Sequence, residues 1–319
     1  MAKTLTIKAP EDYSLSRDFC SYGYFLLAPN RWDVRRQVLA RALEIERVAF
    51  VIEVSQKGQG EKLTVRSSRS LSVASAAKVR GMLTRMLRLD ESAAVLAAFH
   101  AVDPRWKKSG RGRLMRSPTM FEDVVKTVTS CNVQWPSTIT MNRRLCEVLG
   151  EGGVKSEHRA FPTAKKIAGT RPQTLRARCR TGYRDARIVE LGRLFATGAV
   201  KPAWFEDPAT PEDQVYEALL ELPGVGPYAA ANMMQLLGRY ARLPCDTETV
   251  RHGKSLLGFK GSSAHVMKKV RRHYEPFGEH AFRSYWFEMW EFYESKHGAS
   301  HTWERDSTGK MFTAAQLKG

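Results

Sequence analysis

No apolar run in this sequence approaches membrane-spanning length. Stretches such as Val95 to Phe99 or Leu236 to Leu237 fall far short of the ~20 residues a transmembrane helix needs. The first eight residues alternate charge and hydrophobicity and lack the apolar centre and cleavage site of a secretory signal. The expected setting is therefore unsecreted: cytoplasm or nucleoid in a bacterium, nucleus in a eukaryote. Cysteine is scarce, with five residues (Cys20, Cys131, Cys146, Cys179, Cys245), an odd number with no C-x-x-C pair. Neither a disulfide framework nor a zinc module is indicated, and the thiols read as reduced and mostly buried. Acidic residues are also in deficit, 33 against 51 Lys plus Arg, a net charge of +18. What is plentiful is aromatic surface: seven Trp, ten Tyr and fourteen Phe, within 43% hydrophobic residues. That is enough to offset ordering entropy and argues against disorder. A 319-residue chain suggests about two domains of roughly 150 residues. Its charge points to a polyanion, nucleic acid or an anionic membrane surface.

From Leu5 to about Val65 short alternating runs read as strands: Tyr22 to Leu27, Val48 to Val54 and Lys62 to Val65. Gln56 to Gly60 is Gly-rich enough to close a hairpin, so an antiparallel sheet is expected. Beyond Ser72 the period becomes helical, with Ala76, Val79, Met82, Leu83, Met86 and Leu87 on one face, then a second amphipathic stretch from Glu91 to Ala101. The basic segment Lys107 to Arg116 is the best candidate for a domain boundary. Helices follow, the first opened by Ser117 as cap with Pro118 next. A further one is expected after Gln134-Trp-Pro, carrying Ile139, Leu145 and Val148 and ending at Gly150, and others from Ala164 to Ile167, Tyr183 to Phe195, Asp213 to Leu222, Pro227 to Gly238, Thr247 to Leu257, Ala264 to Tyr274 and Ala281 to Glu294. Glu151 to Arg159 reads as a loop and the tail from His297 as polar and frayed.

The chemistry is carried by Leu222-Pro-Gly-Val-Gly-Pro-Tyr, set between two helical segments. Gly224 and Gly226 permit a tight hairpin whose backbone N–H groups, at a helix N-terminus, can approach a phosphate. Such a contact anchors without reading bases. Alone, the turn reads equally well as a helix C-cap followed by Pro at the first position of the next helix. Twenty residues past Gly226 lies Asp246, at the mouth of the next helix. An Asp there is by default an N-cap, a role compatible with catalysis.

A helix-hairpin-helix followed by an Asp some twenty residues on resembles the helix-hairpin-helix DNA glycosylases. The likeness covers most of the chain. Arg113 to Glu122, Thr129 to Asn132 and Arg144 to Glu147 look like the first helical block of 8-oxoguanine and alkyl-purine glycosylases. Ala160 to Thr163 and Thr181 to Ile188 resemble their middle helices. Asn132 to Pro136, Asp246 to His252 and Tyr285 to Glu294 are similar to an uncharacterised branch known from plants. The resemblance implies an α+β fold: an N-terminal antiparallel sheet domain (1–110), a mostly helical two-lobed core (111–296, hairpin unit 213–239) and a polar tail (297–319).

It further implies a monomeric enzyme that flips a damaged base out of duplex DNA and breaks its bond to deoxyribose. Asp246 would stabilise the oxocarbenium-like sugar or orient water. Gly224, Val225, Gly226 and Tyr228 would bind DNA phosphate, with Asn132 and Gln134 filling the gap left by the base. Bifunctional members carry a Schiff-base lysine two residues after the final hairpin glycine. Tyr228 stands there, so hydrolysis without strand cleavage is expected. Lys254 reads as a solvated surface residue. Iron–sulfur members have four clustered cysteines after the hairpin; none follows Cys245, which excludes a cluster. No cofactor is expected beyond a monovalent cation at the hairpin.

Phe282, Tyr285, Trp286, Met289 and Trp290 recur at helical spacing, ordinarily a sign of core packing. The corresponding family helix lines the base pocket, so Tyr285, Trp286 and Trp135 are pocket candidates, with core packing the alternative. The recognition Gln and stacking Phe of the oxidised-guanine branch are not evident. An aromatic pocket suits a cationic alkylated base and equally stacks an oxidised or deaminated one. His252 reads either as a phosphate contact or as packing, while Arg251 and Lys254 read as part of a phosphate-facing surface. Much of the excess charge lies in Arg105 to Arg116, Arg171 to Arg187 and Lys268 to Arg272. The competing reading is a non-catalytic hairpin protein that binds or senses damaged DNA. An RNA-binding role finds no supporting motif.

Overall fold

A computed structural model describes residues 2–152 and 158–308. The expected loop at 151–159 and the tail from 297 therefore lie partly outside the described residues. Five strands, β1 (Ala2–Ile7), β2 (Arg31–Asp33), β3 (Val38–Ile45), β4 (Val48–Ser55) and β5 (Leu63–Leu71), form one antiparallel sheet in the order β1-β5-β4-β3-β2. Alternation in β4 buries Phe50, Ile52 and Val54 on one face. The β3–β4 hairpin turns on Glu46 and Arg47, whose φ angles of 54° and 65° belong to a turn usually built from Gly or Asn.

Helices make up the rest. The sheet region carries α1 (Leu15–Phe19), α2 (Val73–Met86) and α3 (Ala93–Val102). Then come α4 (Met120–Ser130), α5 (Trp135–Leu149), α6 (Ala164–Ala168), α7 (Pro172–Cys179), α8 (Asp185–Thr197) and α9 (Pro202–Glu206). The hairpin helices are α10 (Glu212–Leu220) and α11 (Pro227–Leu236), followed by α12 (Thr247–Ser255), α13 (Ser263–Tyr274), α14 (Ala281–His297) and α15 (Arg305–Thr308). The architecture is the expected α+β one. Among the described residues no helix is long and apolar enough to cross a membrane.

Three local expectations need correction. Tyr22 to Leu27 is not a strand: Gly23–Leu26 forms a 3₁₀ turn, because its side chains are buried on every side and alternation therefore carries no information. The cap of α4 is Thr119, whose hydroxyl accepts the Glu122 N–H. Ser117 stands two residues earlier in an extended, buried segment, and its own N–H donates to Asp123 at 2.7 Å. The arginines between 105 and 116 are not a polyanion-facing run. Arg113 is fully buried and paired with Asp12 at 2.8 Å, Arg105 grips Asp103 and Glu288, and Arg111 grips Glu294. These acids lie far from the arginines in sequence, apart from Asp103, so the run looked unbalanced when read alone.

One hydrophobic cluster runs from Ile7 in the sheet to Trp303 near the C-terminus. Buried polar links tie the sheet region to the helices. Arg41 of β3 meets Glu122 of α4 at 2.9 Å, and Lys126 reaches the same carboxylate at 2.7 Å. The Trp286 indole N–H of α14 donates to the Ser21 carbonyl at 2.8 Å. An unpaired buried charge is costly, so each partner fixes the others. The result is a rigid setting for the cleft between α4, α5, α11, α12 and α14.

Candidate active site and DNA interface

The hairpin between α10 and α11 is held by the Val225 N–H donating to the Leu222 carbonyl at 3.0 Å and the Ala230 N–H to Gly226 at 2.8 Å. Its two glycines have different reasons to be there. Gly224 sits at φ +83°, a conformation that suits glycine. Gly226 is extended at φ −102°, and a Cβ built on it would meet nothing within 4 Å. Neither its backbone nor its neighbours forbid a side chain, so the glycine leaves open the space in front of the α11 N-terminus. That space belongs to a groove of about 970 Å³ lined by 130–134, Arg187, the hairpin and Cys245 to Thr247.

Asp246 caps α12 and forms one wall of that groove. Its Oδ1 accepts the N–H of Glu248 at 2.9 Å and of Thr249 at 3.1 Å, while the Asp246 N–H donates to the Thr249 hydroxyl at 3.2 Å. This reciprocal capping box fixes the carboxylate. Thr249 Oγ1 also lies 3.4 Å from Oδ1 and shares a 3.0 Å hydrogen bond with the Tyr285 hydroxyl. The Tyr228 hydroxyl faces the same carboxylate. Burial raises the Asp246 carboxyl above the usual Asp value; the capping N–H groups pull against that shift, and the nearby Glu248 charge adds to it.

On the other side of Asp246 lies a cavity of about 240 Å³. Its aromatic walls come from four places in the chain: Tyr22 and Tyr24, before and within the 3₁₀ turn, Trp135 at the start of α5, Tyr228 on α11, and Phe282, Tyr285, Trp286, Trp290 and Tyr293 on α14. Trp286 stacks on Phe282 and on Trp290 at centroid distances of 5.7 and 5.3 Å. Trp135 lies against Gly23, where an added Cβ would sit 3.2 Å from its ring. Asn232 of α11 accepts the Tyr22 hydroxyl at 2.8 Å, and Tyr24 bonds Thr127 at 2.8 Å. These bonds lock the two tyrosines that the sheet region contributes.

The catalytic, hairpin, gap-filling and pocket residues expected from sequence gather here. Asp246, Tyr228 and Gln134 line both spaces; Gly224, Val225, Gly226 and Asn132 line the groove; Tyr285, Trp286 and Trp135 line the cavity. Asn132 and Gln134 are exposed on the α4–α5 turn, with Asn132 at φ +53° and its amide 3.5 Å from the Tyr183 hydroxyl. His252 does not reach a phosphate-facing surface. It is fully buried, its Nε2 lies 2.8 Å from the Tyr274 hydroxyl, and burial pushes it down to about 4. Arg251 is likewise engaged, bound to Glu248 and stacked 4.0 Å from the Phe292 ring centroid, whereas Lys254 is exposed. Exposed arginines remain at 171, 176, 178, 180 and 187, and exposed basic residues at 268, 269, 271 and 272. Sequence reading missed Tyr22, Tyr24, Asn232 and Glu248. Only the proximity of Glu248 to Asp246 offered a signal, and a capping helix explains acids there equally well.

No protein-family model matches the chain, and no curated protein matches it significantly in sequence. Solved structures do match in fold. A 3-methyladenine DNA-glycosylase from Archaeoglobus fulgidus aligns at a TM-score of 0.68 with 17% identity, covering 90% of this chain and 98% of that one. The 8-oxoguanine glycosylase/lyase of Clostridium acetobutylicum aligns in its apo-form at a TM-score of 0.66 with 16% identity, covering 90% and 96%. Its complex with dsDNA containing cytosine opposite 8-oxoG aligns at 0.67 with 17% identity, covering 92% and 97%. The chain thus has the helix-hairpin-helix DNA glycosylase fold over most of its length.

Proposed function

We propose that this protein is a DNA glycosylase of base excision repair, acting as a monomer on double-stranded DNA. It flips a damaged base, oxidised or alkylated, into the aromatic cavity and hydrolyses the N-glycosidic bond. The observation that carries the reading is the position of Asp246, a fixed and partly desolvated carboxylate that lines both the groove open at Gly226 and the aromatic cavity. A nucleotide whose phosphate sits at the α11 N-terminus and whose base enters the cavity would bring its sugar past that carboxylate. As the C1′–N bond lengthens, positive charge grows on the sugar, and a preorganised carboxylate stabilises it. Asn132 and Gln134, exposed on the adjoining turn, are suited to fill the vacated stack. The glycosylases that share the fold support the same reading.

The Schiff-base route requires an amine where Tyr228 stands. Tyr228 carries a phenol that burial, reinforced by Asp246, holds well above its ordinary pKa, so release by water without strand cleavage is the proposed outcome. A monovalent cation at the hairpin belongs to the same reading. It would strengthen the local attraction for phosphate.

Incubating the protein with duplexes carrying single lesions (7-methylguanine, 8-oxoguanine, hypoxanthine, uracil) tests the proposal. Alkali-labile sites at one or more lesions, with no borohydride-trapped adduct, are expected. Silence on every lesion with tight binding to an abasic duplex would favour the damage-sensing reading instead, and a trapped adduct would overturn the hydrolytic assignment.

A further inference from the structure

We infer that a second hollow, separate from the groove and the aromatic cavity, binds a small molecule carrying two or more phosphate groups. This goes beyond base excision and does not depend on it. The hollow measures about 740 Å³ and shares no lining residue with either of the other two spaces. It lies where β2 and the turn after it meet the C-terminal half of α5 and the start of α15. Its volume falls among those of small-ligand sites, roughly 300–1,000 Å³.

Charge distinguishes it from the aromatic cavity, whose described lining holds two acids and no Lys or Arg. Arg31, Arg35, Arg143, Arg159 and Arg305 line the hollow against three acids, Asp33, Glu147 and Glu304. These arginines come from segments far apart in sequence, so the fold gathers them. Like charges brought together in a concave surface raise the local potential and favour an anion that neutralises it.

The acids quench little of this charge. Asp33 Oδ1 accepts the N–H groups of Arg35 and Arg36 at 3.0 and 2.9 Å, which closes the turn after β2. Glu147 is shared at longer range, by Arg143 at 3.8 Å and by Arg144 at 3.5 Å. Arg36, outside the lining, meets Glu53 through both Nη atoms at 3.1 Å. Its neighbour Arg35 is exposed, lines the hollow, and pairs with no carboxylate among the described residues. Arg159 is fixed by one bond, from Nη1 to the Gly150 carbonyl at 3.0 Å, and keeps its remaining donors for a ligand. A planar guanidinium grips phosphate oxygens through two parallel N–H bonds, so Arg35, Arg143 and Arg159 together suit more than one phosphate. Trp32 adds an apolar wall, its ring fixed by the indole N–H donating to the His301 carbonyl at 2.8 Å. Glu147 and Glu304 are exposed in the same hollow and oppose a continuous nucleic-acid strand, which favours a compact ligand.

Calorimetry on the full chain at fixed ionic strength tests this with pyrophosphate, ADP and adenosine. Both anions should bind, and adenosine should bind at least about a hundredfold more weakly, since each charge-assisted contact is worth about tenfold or more. Tighter ADP would assign the hollow to a nucleotide, and tighter pyrophosphate to a free oligophosphate; either supports the inference. Arg35→Glu combined with Arg143→Glu changes two exposed residues, so the ligand-free melting temperature should hold. The same double variant should weaken both anions by at least about a hundredfold and leave abasic-duplex affinity unchanged. Gly226→Ala, a change in the groove, should leave anion binding as it is. Anion binding lost in Gly226→Ala but kept in the arginine variant would put the anion in the groove and overturn the inference. Duplex affinity falling in parallel with anion affinity in the arginine variant would make the hollow part of a DNA-binding face, which also overturns it, as would absence of binding by both anions. None of these outcomes depends on whether a base is excised.

Discussion

The hairpin groove and the aromatic cavity share Asp246 as a wall but are built in opposite ways. The groove takes its largest single share of lining residues from one local stretch, Leu220 to Ala229, with Gly226 opening it rather than a side chain filling it. The cavity is assembled from side chains of residues as far apart as Tyr22 and Tyr293. Local backbone suits a contact that every nucleotide offers, its phosphate. Side chains gathered from distant segments suit discrimination among bases. Affinity and selectivity should therefore separate by mutation.

Gly226→Ala should produce the largest change in affinity. The added methyl meets nothing in the protein, so the melting temperature should hold, while a methyl in the phosphate space should weaken binding to all duplexes by about tenfold, the loss of a charge-assisted hydrogen bond. Electrophoretic shift on lesion-containing and undamaged DNA would check it, and a lesion-dependent loss would break the separation. Tyr285→Phe should do the reverse. Losing the hydroxyl that fixes Thr249 should lower turnover several-fold, about 1 kcal/mol, with duplex affinity unchanged, as read by single-turnover kinetics beside binding. Arg187→Ala is expected to be the mildest. Arg187 is exposed beside Gly224 in the groove, so binding should weaken a few-fold for all sequences, and the slope of log affinity against log salt should fall by about one. Titration at several salt concentrations measures that slope.

The same division explains what the sequence revealed. The groove was legible because the Leu222 to Tyr228 motif and Asp246 lie close together, and α14 because its aromatics repeat at helical spacing. Tyr22 and Tyr24 were hidden by a run that imitates a strand, and Asn232 by an Ala- and Met-rich helix whose pattern indicates only burial. The β3–β4 turn gave no signal, since Glu46 and Arg47 replace the usual turn formers. The arginines at 105–116 misled because Asp12, Glu288 and Glu294 reach them through the tertiary fold. Composition reports charge, and pairing across the fold decides how much of it reaches solvent.

Asp246 belongs to both regions, and under the proposed function its ionisation links stability to activity. Its folded pKa is raised by burial. The folded state therefore binds the proton more tightly than the unfolded chain, and holding the group ionised at neutral pH opposes folding; the cost disappears below the unfolded pKa. Asn is uncharged and caps helices comparably, so Asp246→Asn should melt at the same temperature or higher. Turnover of the wild type should fall as pH drops through the raised pKa, at a higher pH than an exposed Asp would give.

The most direct measurement is single-turnover excision by the wild type and Asp246→Asn on a duplex the wild type processes, with abasic-duplex affinity and melting temperature taken on the same preparations. The account predicts a rate lower by about 10²- to 10³-fold, the loss typical of a preorganised electrostatic group, with affinity and folding intact. An Asp246→Asn protein that excises the base at the wild-type rate would contradict it.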